Sequence, residues 1–278
     1  MTLTTSIQTP SRLSRRRGQG GLPRGVLIGA EIAVPVLLLV LWWVASAAST
    51  NAFFPPLQVI LQRLWQLAQT PAFLVDVASS VGNLALSFVL ATVIGVLLGL
   101  VLGLIRPLSW LVEPTVHFFR AIPPVALVPI FVSLIGFGTE TRILSITLAA
   151  VFPILISTID GVRAGEPTLD MVSRVYRLTG PERLLSVMLP AAGPRILSGM
   201  QVSLITAFVV MIASEMLGSS TGLGAATLLA QQSFAIPDMW AGILVLGIIG
   251  YAATALFTLF RRRVLRWYIA SQQQEKNA

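Results

Sequence analysis

Long apolar runs dominate the chain and are separated by short polar segments. A helix rises about 1.5 Å per residue, so about 20 apolar residues are needed to cross a hydrocarbon core about 30 Å thick. The pattern predicts six transmembrane helices, over residues 26–48, 81–105, 123–134, 143–159, 196–217 and 239–260. The third run is short, and the stretch before it, SWLVEPTVHFFRAIPP, is typical of an interfacial helix broken by two prolines. The sequence therefore predicts an all-α polytopic membrane protein.

The first apolar run follows a basic stretch, SRLSRRRGQGGLPRG, and this order has two interpretations. A cleaved signal peptide contains an apolar region of about 7 to 15 residues. The run over residues 26–48 is longer, so we interpret it as a retained span. The chain then divides into a basic tail at 1–25, a membrane domain at 26–262 and a second tail at 263–278.

The basic residues are distributed unevenly between the two sides of the predicted membrane domain. With a cytoplasmic N-terminus, 17 of the 19 lysines and arginines fall on the cytoplasmic side, and only Arg63 and Arg142 fall on the other. This bias predicts that both termini are cytoplasmic. It also explains the net charge of +8 without a nucleic-acid partner, because the basic residues flank the spans instead of forming one patch.

The composition excludes several kinds of chemistry. The chain has no cysteine and one histidine, His117, so disulfides, thiolate metal sites and histidine-rich metal sites are excluded, and we expect no metal or cofactor. Its only lysine is Lys276, so a Walker A motif is impossible. Any ATP hydrolysis that drives transport must therefore take place on a separate chain.

Two segments on the predicted outer side contain structure of their own. Residues 51–77 place apolar side chains at helical spacing between glutamines and one arginine, which predicts an amphipathic helix: Leu57, Ile60, Leu61, Leu64, Trp65 and Ala68. Residues 218–238 begin with a glycine-rich turn and predict a short helix that stops at Pro237.

The longest polar interruption, TLDMVSRVYRLTGPERLLSVMLPAAGPRILSG at 168–199, lies between the fourth and fifth spans. Its periodicity predicts a helix over about 169–178 and a turn at 179–181, with Thr179 or Gly180 as the cap of a second helix. The second helix is predicted to cover 182–188 and to be stopped by Pro190. Two short helices around a tight turn would form a compact knob on the cytoplasmic side.

This segment is similar to the cytoplasmic EAA loop of binding-protein-dependent ABC importer permeases, which docks into a cleft of the ATPase subunit. Its closing part, SVMLPAAGPRILSGMQVSL, carries that family's Leu-Pro pair, the turn after it and a glycine leading into the next span. Two other stretches, EPTVHFFRAIPPVALVPIFVSLIGFGTETRILSITLAAVFPILISTIDGV and ASEMLGSSTGLGAATLLAQQSFAIPDMWAGIL, resemble the subgroup that imports nitrate, sulfonates, taurine or bicarbonate. The similarity covers residues 50–262.

The resemblance implies a type I ABC importer permease of MetI-like fold in a bacterial plasma membrane, with a coupling loop at 163–195. The partners implied are a second copy of the chain, two ABC ATPase subunits, an extracytoplasmic solute-binding protein and the lipid bilayer, and the implied solute is small and anionic. The implied mechanism is alternating access driven by the ATPases. A self-sufficient channel or secondary transporter is the alternative, although paired intramembrane charges and inverted repeats are not evident. A membrane-embedded enzyme lacks an evident catalytic constellation.

The loop departs from the family pattern. Counting back from the Leu-Pro pair at 189–190, the usual Glu-Ala-Ala falls on Met-Val-Ser at 171–173, and the usual glycine falls on Arg177. The Gly-Pro pair at 180–181 is a candidate for the turn instead. The residues that we expect to couple the loop to the ATPase are Asp170, Arg174, Tyr176, Arg177, Leu178, Gly180, Glu182, Leu184, Leu189 and Pro190.

Tyr176, Leu178 and Leu184 are the apolar anchors that we expect at the centre of this interface.

Polar side chains within spans usually face the interior of a helix bundle. On the fifth span this rule predicts that Gln201, Thr206, Phe208 and Glu215 line the translocation pathway. A structural hydrogen bond from Glu215 to the turn that follows it is an equal alternative. Glycines 82, 95, 99 and 103 on the second span predict close helix packing.

Overall fold

The computed structural model describes residues 24–165, 171–173 and 175–268, with side chains from residue 33 onward. Helices account for most of this part of the chain, and it contains no β-strand. The helices are α1 Arg24–Ala47, α2 Leu57–Ala68, α3 Pro71–Leu104, α4 Arg106–Ala121, α5 Val128–Ile135, α6 Thr139–Arg163, α7 Gly180–Gly218, α8 Leu223–Gln232 and α9 Ile236–Val264.

Four of the described helices, α3, α6, α7 and α9, are long and apolar enough to cross a membrane. The pair formed by α4 and α5 makes a fifth candidate if it is counted as one broken span. The apolar part of α1 described with side chains, Ala33–Ala47, is shorter. Each predicted span therefore overlaps helical residues, and the all-α membrane fold is confirmed. The described residues contain four or five candidate spans, against the six predicted.

The predicted break at Pro123 and Pro124 is present as a sharp bend. The segments Arg106–Ala121 and Pro124–Ile135 meet at 86°. Ile122 has an extended backbone with ψ of 125°, as expected for a residue that precedes proline. Proline also lacks an N–H to continue the helical hydrogen bonds, so the chain turns here.

Helices α3 and α6 pack closely because glycines remove side chains from the contact. Gly95 faces Ile154, Gly99 faces Thr158, and Gly103 faces Val162. A Cβ atom at Gly99 would lie 2.5 Å from the Cβ of Thr158 and 2.9 Å from the carbonyl oxygen of Leu155. The predicted packing role is confirmed for these three glycines, whereas Gly82 has open space around it.

Helix α7 packs against α6 in a similar way. A Cβ at Gly161 of α6 would lie 3.0 Å from the Cβ of Ala192 on α7, and Gly199 of α7 lies against Ser157 and Pro153 of α6. Buried aliphatic side chains complete the core around α6, including Ile146, Ala150, Ile154, Ala207, Val210 and Met211.

The prediction that Pro190 stops the second loop helix is wrong. The helix runs continuously from Gly180 to Gly218, and it contains a π-helical turn at Leu184–Met188. A proline ring clashes with the carbonyl four residues earlier in a regular α-helix. The wider turn, in which the Leu189 N–H donates to the carbonyl of Leu184, accommodates Pro190 without breaking the helix.

The amphipathic helix predicted at 51–77 is confirmed as α2, which buries Leu57 and Ile60. Its Arg63 pairs with Asp238 of α9, and one of these hydrogen bonds, from Nη2 to Oδ2, measures 3.0 Å. The hydrogen bond and the charge of Asp238 raise the pKa of the Arg63 guanidinium. Trp240 of α9 donates from Nε1 to the carbonyl of Phe53 across 3.1 Å.

The short helix predicted within 218–238 is confirmed as α8, but Pro237 does not stop it. This helix ends at Gln232, and the chain turns through Phe234, which has φ of 55°. Pro237 lies in the first turn of α9, where its missing N–H has no partner to lose.

Candidate functional site

The first half of the predicted coupling loop ends in a left-handed turn at Arg177. This residue has φ of 51°, a backbone region that glycine adopts most readily. The Leu178 N–H donates to the carbonyl of Ser173 across 3.0 Å, and the Tyr176 N–H donates to that of Val172 across 3.0 Å. A six-residue hydrogen bond over a left-handed residue is the Schellman arrangement that ends helices.

The position of this turn resolves the departure from the family pattern. Arg177 occupies the position of the usual glycine, and its backbone takes the conformation that a glycine favours. The turn therefore lies at Arg177, although an arginine at positive φ costs about 1 kcal/mol or more. Gly180 has no positive φ and open space around its Cβ position, so a glycine is not required there.

The second half of the loop begins with the predicted cap. Thr179 is the N-cap of α7, and its N–H donates to Oε2 of Glu182 across 2.8 Å in a capping box. Pro181 follows in the first turn, where proline is favoured. The cap connects the turn at Arg177 directly to a helix that continues through the membrane domain.

The loop presents apolar side chains to solvent. Val175 is 78% exposed, Tyr176 is 75% exposed and Leu185 is 63% exposed, with Met171 and Val172 beside them. Of the other predicted contact residues, Arg177, Gly180, Glu182 and Pro190 are exposed, and Leu178, Leu184 and Leu189 are half-buried. Asp170 and Arg174 lie outside the described residues. We call the described residues 171–173 and 175–188 the docking knob.

The base of the docking knob is tied to the neighbouring helices. Arg163, the last residue of α6, donates from Nη1 to Glu113 of α4 across 2.6 Å and also bonds to Ser109 of α4. Arg195 of α7 donates from Nη1 to the carbonyl of Asp160 across 3.0 Å. These bonds hold α4, α6 and α7 together where the docking knob leaves the membrane domain.

A cavity of about 260 Å³ lies between the α4–α5 bend and the middle parts of α6 and α7. Most of its wall is apolar, with Leu148, Phe152 and Pro153 contributed by α6. Three polar side chains line it: Arg120 from α4, Ser145 from α6 and Thr206 from α7. This cavity is therefore a candidate part of a pathway across the domain.

The family described as binding-protein-dependent transport system inner membrane component matches residues 91–268. The chain belongs to this family. It is the transmembrane permease subunit of an ABC importer, and the family implies an ATPase and a solute-binding protein as partners.

Individual relatives agree with the family, and a solved structure has a similar fold. The taurine transport system permease protein TauC of Escherichia coli (strain K12) is 26% identical over 270 residues, which cover 95% of this chain and 98% of that protein. The nitrate import permease protein NrtB of Leptolyngbya laminosa is 26% identical over 278 residues, which cover 95% of this chain and 98% of that protein. A chain of the inward-facing MetNI methionine ABC transporter matches with a TM-score of 0.60 at 22% identity, covering 73% of this chain and 98% of that chain.

The permease does not bring the four predicted pathway residues together. Thr206 lines the cavity between α4, α6 and α7. Gln201 faces α9 instead, where its Oε1 accepts a hydrogen bond from Arg261 across 2.7 Å. Phe208 also faces α9, because a Cβ at Gly250 would lie 2.8 Å from its ring.

The fourth residue, Glu215, is fully buried in a polar cluster at the other end of the permease. Its Oε2 accepts hydrogen bonds from the Ser80 hydroxyl and the Gly224 N–H, both across 2.9 Å. Asp76 accepts from the Gly222 N–H across 2.7 Å. This geometry supports the structural alternative for Glu215, with α8 as the partner. A pathway role for Gln201, Phe208 and Glu215 stays a prediction.

The two arginines that depart from the charge bias both have partners inside the permease. Arg63 pairs with Asp238. Arg142 is 4% exposed and donates to the carbonyl of Thr221 across 3.1 Å and to the Thr139 hydroxyl across 2.9 Å. Both arginines are therefore part of the packing between helices.

Arg120 is the site residue that the sequence analysis missed. The six-span pattern places it among the 17 cytoplasmic basic residues, whereas it lines a cavity beside the middle of α6. Helix α4 has 16 residues and is therefore about 24 Å long. Because its first half is bonded to Arg163 at the end of α6, its last turn reaches back along α6 to the cavity. The proline pair after Arg120 was the available signal for this change of direction.

Proposed function

We propose that the permease works as a homodimer around a central pathway and imports a small anionic solute. Two ATPase subunits bind on the cytoplasmic side, a solute-binding protein delivers the solute on the other side, and both termini are cytoplasmic. The solute class is supported by the names of the relatives, which transport nitrate, an oxyanion, and taurine, a zwitterion with a sulfonate group. Alternating access follows from ATPase closure, which moves the docking knobs.

The observation that carries the proposal is the exposed apolar surface of the docking knob. Val175, Tyr176 and Leu185 are each more than half exposed on a segment that lies between two membrane spans. Binding energy at protein interfaces concentrates in a few buried apolar or aromatic side chains with polar groups around them. Arg177 and Glu182 supply exposed charges beside these side chains. The knob therefore has the composition of a docking surface.

The continuity of α7 gives the docking knob a rigid connection to the cavity. The helix that begins at Gly180 within the knob also carries Val202 and Thr206 at the cavity wall. A second connection runs from Arg163 at the base of the knob to Glu113 of α4, the helix that ends beside the cavity at Arg120. A displacement of the knob therefore moves two of the helices that line the cavity.

A pull-down of the ATPase subunit by the membrane-inserted permease tests this proposal. The variant combines Tyr176→Ala with Leu185→Ala, since Leu184 is half-buried and its truncation would also disturb the knob itself. Each truncated anchor should weaken association by about 1 to 4 kcal/mol. The permease should remain folded, lose its ATPase and transport nothing.

The matched control is Leu229→Ala, which truncates a leucine of similar exposure, 66%, on α8 at the opposite end of the domain. This variant should retain the ATPase. Full recovery of the ATPase with the double variant would reject the docking assignment. Solute uptake by purified permease without any ATPase would favour the alternative, a self-sufficient channel or secondary transporter.

A further inference from the structure

The cavity between α4, α6 and α7 contains one charged side chain. Arg120 lies in the last turn of α4 and lines the cavity together with residues from the middle of α6 and α7. Arg120 is an exposed residue of the cavity wall. Charged side chains within a membrane domain are costly and usually have a functional role. The position of Arg120 therefore requires an explanation.

Packing within the chain does not explain the position of Arg120. In residues 24–165, 171–173 and 175–268, no carboxylate forms an ion pair with Arg120, and no hydrogen bond of its guanidinium is present. The other arginines beside the core do have hydrogen-bond or ion-pair partners. Arg142 bonds to Thr139 and Thr221, and Arg163 bonds to Glu113. Arg120 is thus available to an external partner.

The rest of the cavity wall fits an anion better than a cation. Among the described residues, Ser145 and Thr206 are the only other polar side chains of the lining, and none of the lining residues carries a carboxylate. The Ser145 hydroxyl donates to the carbonyl of Thr141 across 2.7 Å, and the Thr206 hydroxyl donates to that of Val202 across 3.1 Å. The guanidinium is therefore the group with free N–H donors, in a fork that matches two oxygens of an oxyanion.

We propose that Arg120 is the specificity-determining residue of an anion-binding site in this cavity. Its N–H groups contact two oxygens of a small oxyanion of the nitrate or sulfonate type as the solute passes between α4, α6 and α7. This inference rests on the proposed import of an anionic solute, and it adds the group that recognises the charge.

The absence of cysteine from the chain permits a direct measurement of the charge in the cavity. The variant Thr206→Cys places one thiol per permease chain on the cavity wall of the complete permease–ATPase complex. Its modification rates by an anionic and a cationic methanethiosulfonate reagent are each divided by the rate with a free thiol in solution. With Arg120 present, the anionic reagent should react faster than the cationic reagent. Arg120→Gln should lower the ratio of the anionic to the cationic rate by at least about fivefold.

Two further variants separate charge from structure. Arg120→Lys keeps a positive charge and should keep most of the ratio. Arg106→Gln removes the same charge from the other end of α4 and should leave the ratio within about twofold, because that distance exceeds the screening length of about 8 Å at physiological salt. A purely structural role for Arg120 would not produce this pattern. If Arg120→Gln fails to assemble, a faster reaction of Thr206→Cys with the cationic reagent in the parent chain still overturns the proposal.

Uptake measurements then connect the site to transport. Vesicles containing the permease, its ATPase and its solute-binding protein are tested with nitrate and with taurine. Arg120→Gln should lower uptake about tenfold, as expected for the loss of a charged hydrogen bond, whereas Arg106→Gln should change it less than about twofold. Normal uptake and an unchanged reagent ratio with Arg120→Gln overturn the anion site alone. If the parent chain takes up neither nitrate nor taurine, whose sulfonate is the anionic group of a zwitterion, the proposed solute class is overturned, whatever the reagent ratio.

Discussion

Glu215 of α7 accepts a hydrogen bond from the backbone N–H of Gly224 across 2.9 Å, which fixes the first turn of α8 against the end of α7. The same carboxylate oxygen accepts from Ser80 of α3, whose hydroxyl oxygen accepts in turn from the Leu223 N–H. The first N–H groups of a helix have no partners within it and carry a partial positive charge. A buried carboxylate is therefore a suitable partner for the start of α8.

Replacing Glu215 with alanine should destabilise the permease. The change leaves the Gly224 N–H and the Ser80 hydroxyl without their buried acceptor, at a cost of about 1–3 kcal/mol for each group. Thermal unfolding of the detergent-solubilised protein measures the effect. Glu140→Ala removes an exposed carboxylate from the first turn of α6 and should cost less than about 1 kcal/mol. Equal unfolding temperatures for the two variants would contradict this role for Glu215.

The contact between α3 and α6 should tolerate no side chain at Gly99. Gly99→Ala places a Cβ 2.5 Å from the Cβ of Thr158, so the helices must separate, at a cost of about 1–3 kcal/mol. Gly82→Ala makes the same change on the same helix in open space and should be neutral or slightly stabilising. Unfolding temperatures of the two variants provide the comparison, and equal values would show that the close approach of the helices is not required.

The turn of the docking knob should be stabilised by the variant Arg177→Gly. Glycine adopts the left-handed conformation without the steric cost to arginine, so the turn should gain about 0.5–1 kcal/mol. Hydrogen exchange of the Leu178 amide, which bonds to Ser173, reports the change as slower exchange. Arg177→Gln removes the charge but keeps a side chain at the left-handed position, so it should not slow the exchange of the Leu178 amide. Faster exchange in Arg177→Gly than in Arg177→Gln would refute the strain argument.

The charge distribution predicts that the chain begins and ends in the cytoplasm. A reporter enzyme fused after Ala278 that works only in the cytoplasm should be active, and one that works only outside should be inactive. When either reporter is placed in the connection between α2 and α3, the result should be opposite: the outside reporter should be active and the cytoplasmic reporter inactive. Activity of the outside reporter at Ala278 would overturn the orientation and, with it, the cytoplasmic position of the docking knob.

Features set by local sequence were predicted well. The apolar runs gave each predicted span a helix, the prolines at 123 and 124 marked the bend, and Thr179 marked a helix start. Each depends on neighbouring residues and on backbone chemistry. The error at Pro190 has the same origin, since the general rule that proline ends a helix does not include the π turn that accommodates it.

The sequence by itself determined the membrane class, the positions of the helices and the family of the permease, because hydrophobic length, proline chemistry and motif spacing are local properties. Only the tertiary structure decided which polar residues share a site. It separated Gln201, Phe208 and Glu215, and it brought Arg120 beside Thr206. The reason is physical: the direction in which a helical side chain points depends on how far a helix is rotated and tilted against its neighbours. Contacts between residues far apart in sequence, such as Gly99 with Thr158 and Glu113 with Arg163, set that rotation and tilt.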